Sequence, residues 1–338
     1  MSRRHRTRLI AALIGYALLA TASAVQADVV IKMATIAPEN SIWTRTLREM
    51  GDAWKRRTNG RVTLRLFPGT TGSEEKMLRD LRISKTLGAA QLSAIQLGKL
   101  DDGFNVFSLP MFFESYDELD GVLATLAPVL ERRVEAHGLK VLNWGYAGWV
   151  HVFSRTPVRT LDDLRRLKLF TSTGDGRMTA WYRENGFNPV PVDASQMLAS
   201  LTTGMIQAIP MTPLSAQLFM WYEHAPYMLD IGFAPLLGAT VIRLDTWNQL
   251  APEDQTIVQD EARKAGARLR TEVPRLDTEA VARMQERTLT VTAGDEAQWR
   301  RAATEFGLAM RDRLVPSDVY DLARKQRDDI RVQRSARR

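Results

Sequence analysis

The stretch LKVLNWGYAGWVHVFSR, residues 139–155, decides the fold because it interrupts an otherwise regular order of strands and helices. It contains two strand-like runs, LKVLNWGY (139–146) and WVHVFSR (149–155), with no helix between them. On both sides of it, apolar patterns typical of strands and of helices alternate along the chain. A chain breaks such an alternation where it passes from one α/β domain to another. The sequence therefore predicts two α/β lobes joined by crossing strands.

The region before this stretch predicts the first lobe. VVIKMAT (29–35) alternates as a strand, apolar residues recur at helical spacing over 42–57, and RVTLRLF (61–67) alternates again. AAQLSAIQL (89–97) predicts a buried strand, and Ser115 is a typical helix cap. This order of elements indicates a βαβ arrangement.

The region after the stretch repeats the theme. KLFTS (168–172) and GMIQAIP (204–210) predict strands, and GATVIRLD (238–245) predicts a strand that returns to the first lobe. From Pro252 to about residue 288 the pattern is that of a long amphipathic helix, and we expect an interruption near Pro274.

These patterns predict the domain organisation. The first lobe is expected over 28–150 with part of 238–290, the second lobe over 151–237, and C-terminal helices that pack across the lobes over 251–323. Residues 324–338 contain seven Lys or Arg and two Asp. Chain ends of this kind are commonly frayed and solvated, so we expect a basic flexible tail there.

The first 27 residues have the composition of an export signal. Four arginines precede an apolar run over 9–20, and SAVQA (23–27) resembles a cleavage site with small residues. The apolar run is shorter than the roughly 20 residues that a membrane span requires. We therefore expect cleavage after Ala27 and a mature protein in the periplasm. The chain has no cysteine, which excludes disulfides and thiolate metal sites.

The sequence does not favour an enzyme. Three histidines follow residue 27: His137, His151 and His224. They lack the i, i+4 spacing of a helical metal site, no G-x-S-x-G motif is present, and TSTGDG (171–176) lacks the Gly-Lys of a phosphate loop. We expect no catalysis, no cofactor and no metal. A hydrolase or isomerase would need a titratable pair, for which His151 with Asp175 or Asp193 is the available choice.

Five segments together carry a resemblance to a known family. They are TNGRVTLRLFPGTTGSEEKMLRDL, SLPMFFESYDELDGVL, PVRTLDDLRRLKLF, PVPVDASQMLASLTTGMIQA and WNQLAPEDQTIVQDEA. In this order they resemble the periplasmic solute-binding proteins of TRAP transporters, the DctP-like family, over essentially all of the chain after residue 27. The resemblance implies a two-lobed periplasmic binding protein fold of the α/β class, type II-like, with crossing hinge strands and a long helix that spans both lobes. It also implies closure around a small ligand and delivery to a two-subunit, ion-driven membrane transporter.

The chain departs from the family pattern at positions that the family uses to bind organic acids. Phe170 stands where the family has an arginine, and Val150 falls at the position of a second arginine. Gln207 replaces an aspartate and Met211 an asparagine. Because guanidinium groups pair bidentately with carboxylates, their loss argues against a typical dicarboxylate or sialic acid ligand. The pattern is similar to a branch of the family linked to apolar ligands and to a helical-repeat partner protein.

The resemblance also implies which residues bind the ligand. We expect Trp149, Val150 and Phe170 to form the wall, Gln207 and Thr212 to supply polar contacts, and Thr35 and Gln96 to close from the first lobe. Two further residues complete the predicted site: Tyr146 and Met211. Core packing is the alternative role for each of them.

Two alternative functions stay open at this point. The chain could be a conventional binder of dicarboxylates or 2-oxo acids, with Arg177 holding the acid, or a periplasmic ligand sensor subunit. The predicted partners are a small-molecule ligand, the membrane subunits of a TRAP permease and the helical-repeat protein, with no nucleic acid.

Overall fold

A computed structural model describes residues 28–69, 73–173 and 175–336. The predicted signal segment with its cleavage site, and Gly174 of the turn at 171–176, lie outside the described residues. None of the helices in the described part is long and apolar enough to cross a membrane.

Strands and helices alternate as expected in both halves of the described chain. The strands are β1 (Val29–Thr35), β2 (Val62–Pro68), β3 (Ala89–Ser93), β4 (Leu139–Ser154), β5 (Lys168–Ser172), β6 (Asn188–Val192), β7 (Ala208–Met211), β8 (Tyr227–Leu229), β9 (Ala234–Arg243) and β10 (Thr290–Thr292). The helices are α1 (Ile42–Arg57), α2 (Glu74–Arg82), α3 (Ala94–Leu97), α4 (Tyr116–Glu135), α5 (Leu161–Arg165), α6 (Gly176–Glu184), α7 (Met197–Thr203), α8 (Pro213–Leu218), α9 (Leu244–Trp247), α10 (Pro252–Gln285), α11 (Glu296–Met310) and α12 (Ser317–Ala336). Short 3-10 helices cover Asp102–Ser108, Ala194–Gln196 and Trp221–Glu223.

Strand β4 belongs to both lobes. The strand order is β2-β1-β3-β9-β4-β7-β5-β6, with β8 paired to β4 and β10 paired to β8. The first part of β4 pairs with β9 in the first lobe, and its last residues pair with β7 and β8 in the second. The two runs that open the sequence analysis are thus one strand of 16 residues that crosses from lobe to lobe.

A bulge in β4 lies at the crossing point. The register with β9 shifts between Tyr146 and Gly148, and Gly148 has φ +123°, which L side chains rarely adopt. A Cβ atom at this position would overlap the carboxylate of Asp277 in α10. Glycine is therefore required where the strand bends and where the Asp277 side chain of the long helix meets it.

Helix α10 spans the two lobes without a break. Its 34 residues correspond to about 50 Å at 1.5 Å per residue. Gln259 donates to the carbonyl of Leu142 (2.6 Å) and Arg270 to that of Trp144 (3.0 Å), so the helix is bound along the first part of β4. The interruption predicted near Pro274 is wrong, because these contacts and those of Asp277 hold the helix on both sides of the proline.

The C-terminal residues form helix α12 rather than a flexible tail. Arg331 donates two hydrogen bonds (2.9 and 3.1 Å) to Glu118 of α4, whose side chain is fully buried. Arg327 lies over the ring of Phe112 at 4.3 Å. The predicted frayed tail is wrong for residues 324–336, since its arginines pair with a carboxylate and a ring far away in the sequence.

Candidate functional site

The carboxyl ends of the parallel strands define the candidate site. In the first lobe β1 ends at Thr35 and β3 at Ser93, and in the second lobe β5 ends at Ser172 and β7 at Met211. Ligands of open α/β sheets bind in the crevice outside such ends. The site is therefore formed by the loops that leave these four strands, between the lobes.

Thr35 and Gln96 occupy the first-lobe side of this site. The hydroxyl of Thr35 donates to Gln91 Oε1 (3.0 Å) and accepts from the Ala37 N–H (3.1 Å), so it fixes the turn after β1. The run 89–97, predicted as one strand, ends as a strand at Ser93, whose hydroxyl accepts from the Gln96 N–H (3.1 Å) and starts helix α3. Both Thr35 and Gln96 are buried.

Glu74 is a half-buried carboxylate on the same edge that the sequence analysis missed. It accepts from the N–H of Ser93 and from its hydroxyl, both at 2.6 Å. Burial raises the pKa of Glu74, against the hydrogen bonds from Ser93. Its position directly after the Ser73 helix cap was the available signal. Glu74 ties the start of α2 to the end of β3 and so sets the shape of the first-lobe edge.

Phe170 and Met211 share one face of the second-lobe sheet. His151 pairs with Met211, Phe153 pairs with Ile209, and Leu169 pairs with Ala208, so alternation places Phe170 on the same face as Ile209 and Met211. Phe170, Met211 and Trp149 are partly buried and pack on the larger hydrophobic core. The structure thus brings two of the three predicted wall residues, Phe170 and Trp149, to one face with Met211.

Val150 and Gln207 do not join that face. Val150 alternates with Trp149 along β4 and so points to the opposite side of the sheet. Gln207 precedes β7, and its side chain accepts from the Lys168 N–H (3.1 Å) at the beginning of β5. The structure places Gln207 at the amino end of these strands, whereas the candidate site lies at their carboxyl ends.

Tyr146 and Thr212 are held in internal hydrogen bonds. The Tyr146 hydroxyl donates to Asp120 Oδ1 (2.6 Å), and its ring stacks on that of Tyr116 with centroids 4.5 Å apart. Thr212 is fully buried and caps α8, accepting from the N–H of Ser215 (3.4 Å). Both residues support the site from behind its surface.

Arg177 connects the two lobes. It follows the turn at 171–176, and its guanidinium donates to both carboxylate oxygens of Asp102 in the first lobe, at 2.6 and 3.0 Å. The hydrogen bond from Arg177 lowers the pKa of Asp102. The side chains are 50% and 42% exposed, and exposed pairs contribute at most about 1 kcal/mol. The interlobe pair of Arg177 and Asp102 therefore joins the lobes without locking them.

Asp277 holds three elements together at the hinge. One carboxylate oxygen accepts from the Trp149 N–H of β4 and the other from the Leu214 N–H of α8, both at 2.8 Å. Burial raises the pKa of Asp277 to about 7, against the effect of these two hydrogen bonds. A single carboxylate of α10 thus fixes the crossing strand and the second lobe.

A cavity of about 450 Å³ lies beside this hinge carboxylate. It is lined by the second half of α10, by Tyr116 of α4, by Trp149 and His151 of β4, and by Met228 and Asp230 in and after β8. Of the nine predicted ligand-binding residues, Trp149 is the one that lines it.

Within the described residues, no hydrogen bond joins His151 to Asp175 or to Asp193. Asp175 caps α6 by accepting from the Met178 N–H (3.3 Å), and Asp193 accepts from the hydroxyl of Thr173 (3.0 Å). His151 Nδ1 lies 3.1 Å from the carbonyl oxygen of Leu229. Both carboxylates are therefore used in local turns of the second lobe.

Comparisons with known proteins agree with this architecture. The model of the family described as bacterial extracellular solute-binding protein, family 7 (DctP), matches residues 33–310. The chain is 28% identical over 227 residues to the 2,3-diketo-L-gulonate-binding periplasmic protein YiaO of Escherichia coli, which covers 65% of this chain and 67% of the relative.

Solved structures share the fold. A TRAP periplasmic solute-binding protein from Pseudomonas putida F1 with bound D-glucuronate has a TM-score of 0.80 at 22% identity, covering 89% of this chain and 97% of that one. Another from Ralstonia eutropha H16, with bound (S)-2-acetolactate, has a TM-score of 0.82 at 21% identity, covering 89% and 99%. The predicted two-lobed α/β fold is confirmed. The chain belongs to family 7 of the bacterial extracellular solute-binding proteins, the periplasmic solute-binding proteins of TRAP transporters.

Proposed function

We propose that this protein captures a small organic solute between its lobes, closes on it by bending at the hinge, and delivers it to the membrane subunits of a TRAP permease. The proposal rests on one contact between the lobes: Arg177, which follows β5 in the second lobe, donates to Asp102 of the first lobe. Strands β4 and β9 and helix α10 connect the same two lobes. A solute that touches both lobes stabilises the closed form. Export with cleavage after Ala27 and a helical-repeat partner belong to the same proposal.

The side chains on the second-lobe face support a largely apolar contact with the solute. Phe170 and Met211 stand at the family's arginine and asparagine positions, and both are half-buried on the core. A ligand carboxylate placed against them would lose its hydration without gaining a partner, which costs several kcal/mol. We therefore propose that the ring of Phe170 packs against an apolar part of the solute.

A second candidate is an organic acid bound by Arg177. The guanidinium of Arg177 already holds a carboxylate, that of Asp102, in a two-point geometry at the rim of the site. A ligand carboxylate could replace Asp102 there. One relative is named for binding 2,3-diketo-L-gulonate, and two solved structures contain D-glucuronate and acetolactate. All three ligands are organic acids, which supports this candidate.

Calorimetric titration separates the two candidates. We expect the wild-type protein to bind neutral apolar probes such as cyclohexanol and p-cresol more tightly than D-glucuronate or succinate. Phe170→Arg should strengthen acid binding by roughly tenfold or more, since a charged hydrogen bond contributes about 1.5–3 kcal/mol. Phe170→Leu is the matched control that keeps the site apolar.

Two results would decide against the apolar proposal. Tight binding of D-glucuronate by the wild type that is lost in Arg177→Gln would establish the organic-acid candidate. Tight acid binding that neither Phe170→Arg nor Arg177→Gln changes would contradict both assignments of the site.

A further inference from the structure

The cavity beside Asp277 of α10 is lined by both aromatic and acidic residues. Its walls combine aromatic rings with carboxylates: the rings of Tyr116 and Trp149 meet edge to face, with an interplanar angle of 88° and centroids 5.0 Å apart. Asp230 and Asp277 contribute their carboxyl groups to the lining. Its volume of about 450 Å³ falls within the range of small-molecule sites.

The exposed carboxylate of Asp230 gives the cavity a negative charge. Among the described residues that line it there is no lysine or arginine. Asp230 is exposed, and within the described chain no lysine or arginine forms an ion pair with it. An anionic solute would meet repulsion here, whereas a cation would meet attraction.

His151 is compatible with a bound cation because its imidazole is neutral. Burial lowers the pKa of His151, so the imidazole is uncharged near neutral pH. Its Nδ1 faces the carbonyl oxygen of Leu229, which can only accept, so Nδ1 carries the proton and Nε2 keeps a lone pair. The lone pair can accept a hydrogen bond from an N–H donor.

The aromatic walls are held in place before any ligand arrives. A Cβ atom on Gly232 would overlap the Trp149 indole, so this ring packs directly against the backbone of the second lobe. The backbone N–H of Trp149 donates to Asp277, and the Tyr116 ring stacks on that of Tyr146. Preordered rings cost little conformational entropy on binding.

We propose that this cavity is a second binding site, which adjoins the interlobe solute site at Trp149, and that it takes a small organic ammonium ion. The cation would lie against the ring faces of Tyr116 and Trp149, with the exposed carboxylate of Asp230 balancing its charge. Aromatic walls with carboxylates are the surroundings that recognise quaternary and protonated amines through cation–π attraction. The proposal does not depend on which solute binds between the lobes.

The proposal is tested by calorimetric titration with choline and with its neutral carbon isostere, 3,3-dimethyl-1-butanol (dimethylbutanol below), at constant chloride concentration. We expect choline to bind saturably and dimethylbutanol to bind at least about tenfold more weakly, because the isostere lacks the charge. Asp230→Asn should weaken choline binding about threefold, as for an exposed charge pair. Trp149→Leu should weaken it by about tenfold or more.

The controls keep the test decisive. Asp52→Asn removes an exposed carboxylate of α1 away from the cavity and should leave choline binding unchanged. Asp230 is exposed, so Asp230→Asn tests the site even where Trp149→Leu fails to fold. Equal binding of the two probes, absence of saturable choline binding, or identical affinities in Asp230→Asn and wild type would overturn the proposal. Phe170→Arg should leave choline binding unaltered, which separates this site from the solute cleft.

Discussion

Two of the arginine–carboxylate pairs that join distant parts of the described chain differ clearly in burial. Arg331 binds both oxygens of Glu118, which is completely buried between α4 and α12. Arg177 binds both oxygens of Asp102 between the lobes, with about half of each side chain exposed. The same chemistry therefore serves two purposes: a buried pair holds a helix permanently, and an exposed pair can open at little cost.

The pKa shifts of Glu118 and Asp102 reflect the same difference in burial. Burial alone would raise the pKa of Glu118, yet the hydrogen bonds and charges of Arg331 and Arg334 leave it lowered. For Asp102 the hydrogen bond from Arg177 is the largest cause of the lowering, and burial opposes it weakly. Glu118 depends on its arginine to stay charged, whereas water can replace Arg177 at Asp102.

Breaking the buried pair should have the largest effect. Glu118→Ala leaves Arg331 and Arg334 with Glu114 as their remaining shared carboxylate and removes the acceptor of the Glu114 N–H. We expect a loss of about 3 kcal/mol in the free energy of unfolding, measured with urea. Glu305→Ala, an exposed change on α11, should cost less than about 0.5 kcal/mol. Equal unfolding midpoints for these two variants would show that Glu118 does not hold α12.

Replacing the hinge carboxylate of Asp277 should have an intermediate effect on the free energy of unfolding, and this effect should depend on pH. Asp277→Asn replaces one of two acceptors for backbone N–H groups, so we expect a loss of about 1–2 kcal/mol at pH 5. The folded pKa of about 7 lies above the ordinary 3.8, so the folded state binds the proton more tightly. Binding of this proton therefore stabilises the folded state, fully below about pH 4, and the stabilisation is lost as the pH rises through 7.

The difference between wild type and Asp277→Asn should therefore shrink between pH 5 and 8. Urea unfolding of both proteins at each pH measures it. A difference that stays constant or grows with pH would mean that Asp277 is ionised in the folded protein throughout this range.

The interlobe pair should give the smallest effect on stability. Asp102→Asn and Arg177→Gln should each change the free energy of unfolding by less than about 1 kcal/mol, with a coupling of about 0.5 kcal/mol in a double-mutant cycle. Both variants should shift the unliganded protein toward open conformations, seen as a larger radius of gyration in small-angle scattering. A coupling as large as that expected for a buried pair would contradict the contrast drawn above.

The sequence predicted the order of strands and helices well, because that order depends on local patterns. The crossing of β4 between lobes followed from two strand runs without a helix between them. The bulge at Gly148 could not be foreseen, since it depends on the approach of Asp277 from a helix more than a hundred residues away. The continuity of α10 through Pro274 likewise depends on tertiary contacts that outweigh the local effect of proline.

The candidate site was harder to predict than the fold. Phe170, Met211 and Trp149 come together on one face because strand alternation places them there. The position of Gln207 at the amino end of β7 could not be read from the run 204–210, which does not reveal that the strand begins only at Ala208. The Arg-rich C-terminus was misjudged because the partner of Arg331 lies 213 positions earlier in the chain. Such long-range pairs leave no local pattern.

The most direct test of closure uses the absence of cysteine from the chain. Cysteines introduced at Asp52 in the first lobe and Glu184 in the second, both exposed, accept a pair of spin labels without competing thiols. The distance distribution between the labels is measured with and without the tightest binder of the calorimetric series. We predict a shorter, narrower distribution on saturation, and a longer one for unliganded Asp102→Asn. An unchanged distribution with the ligand bound would contradict capture by closure of the lobes.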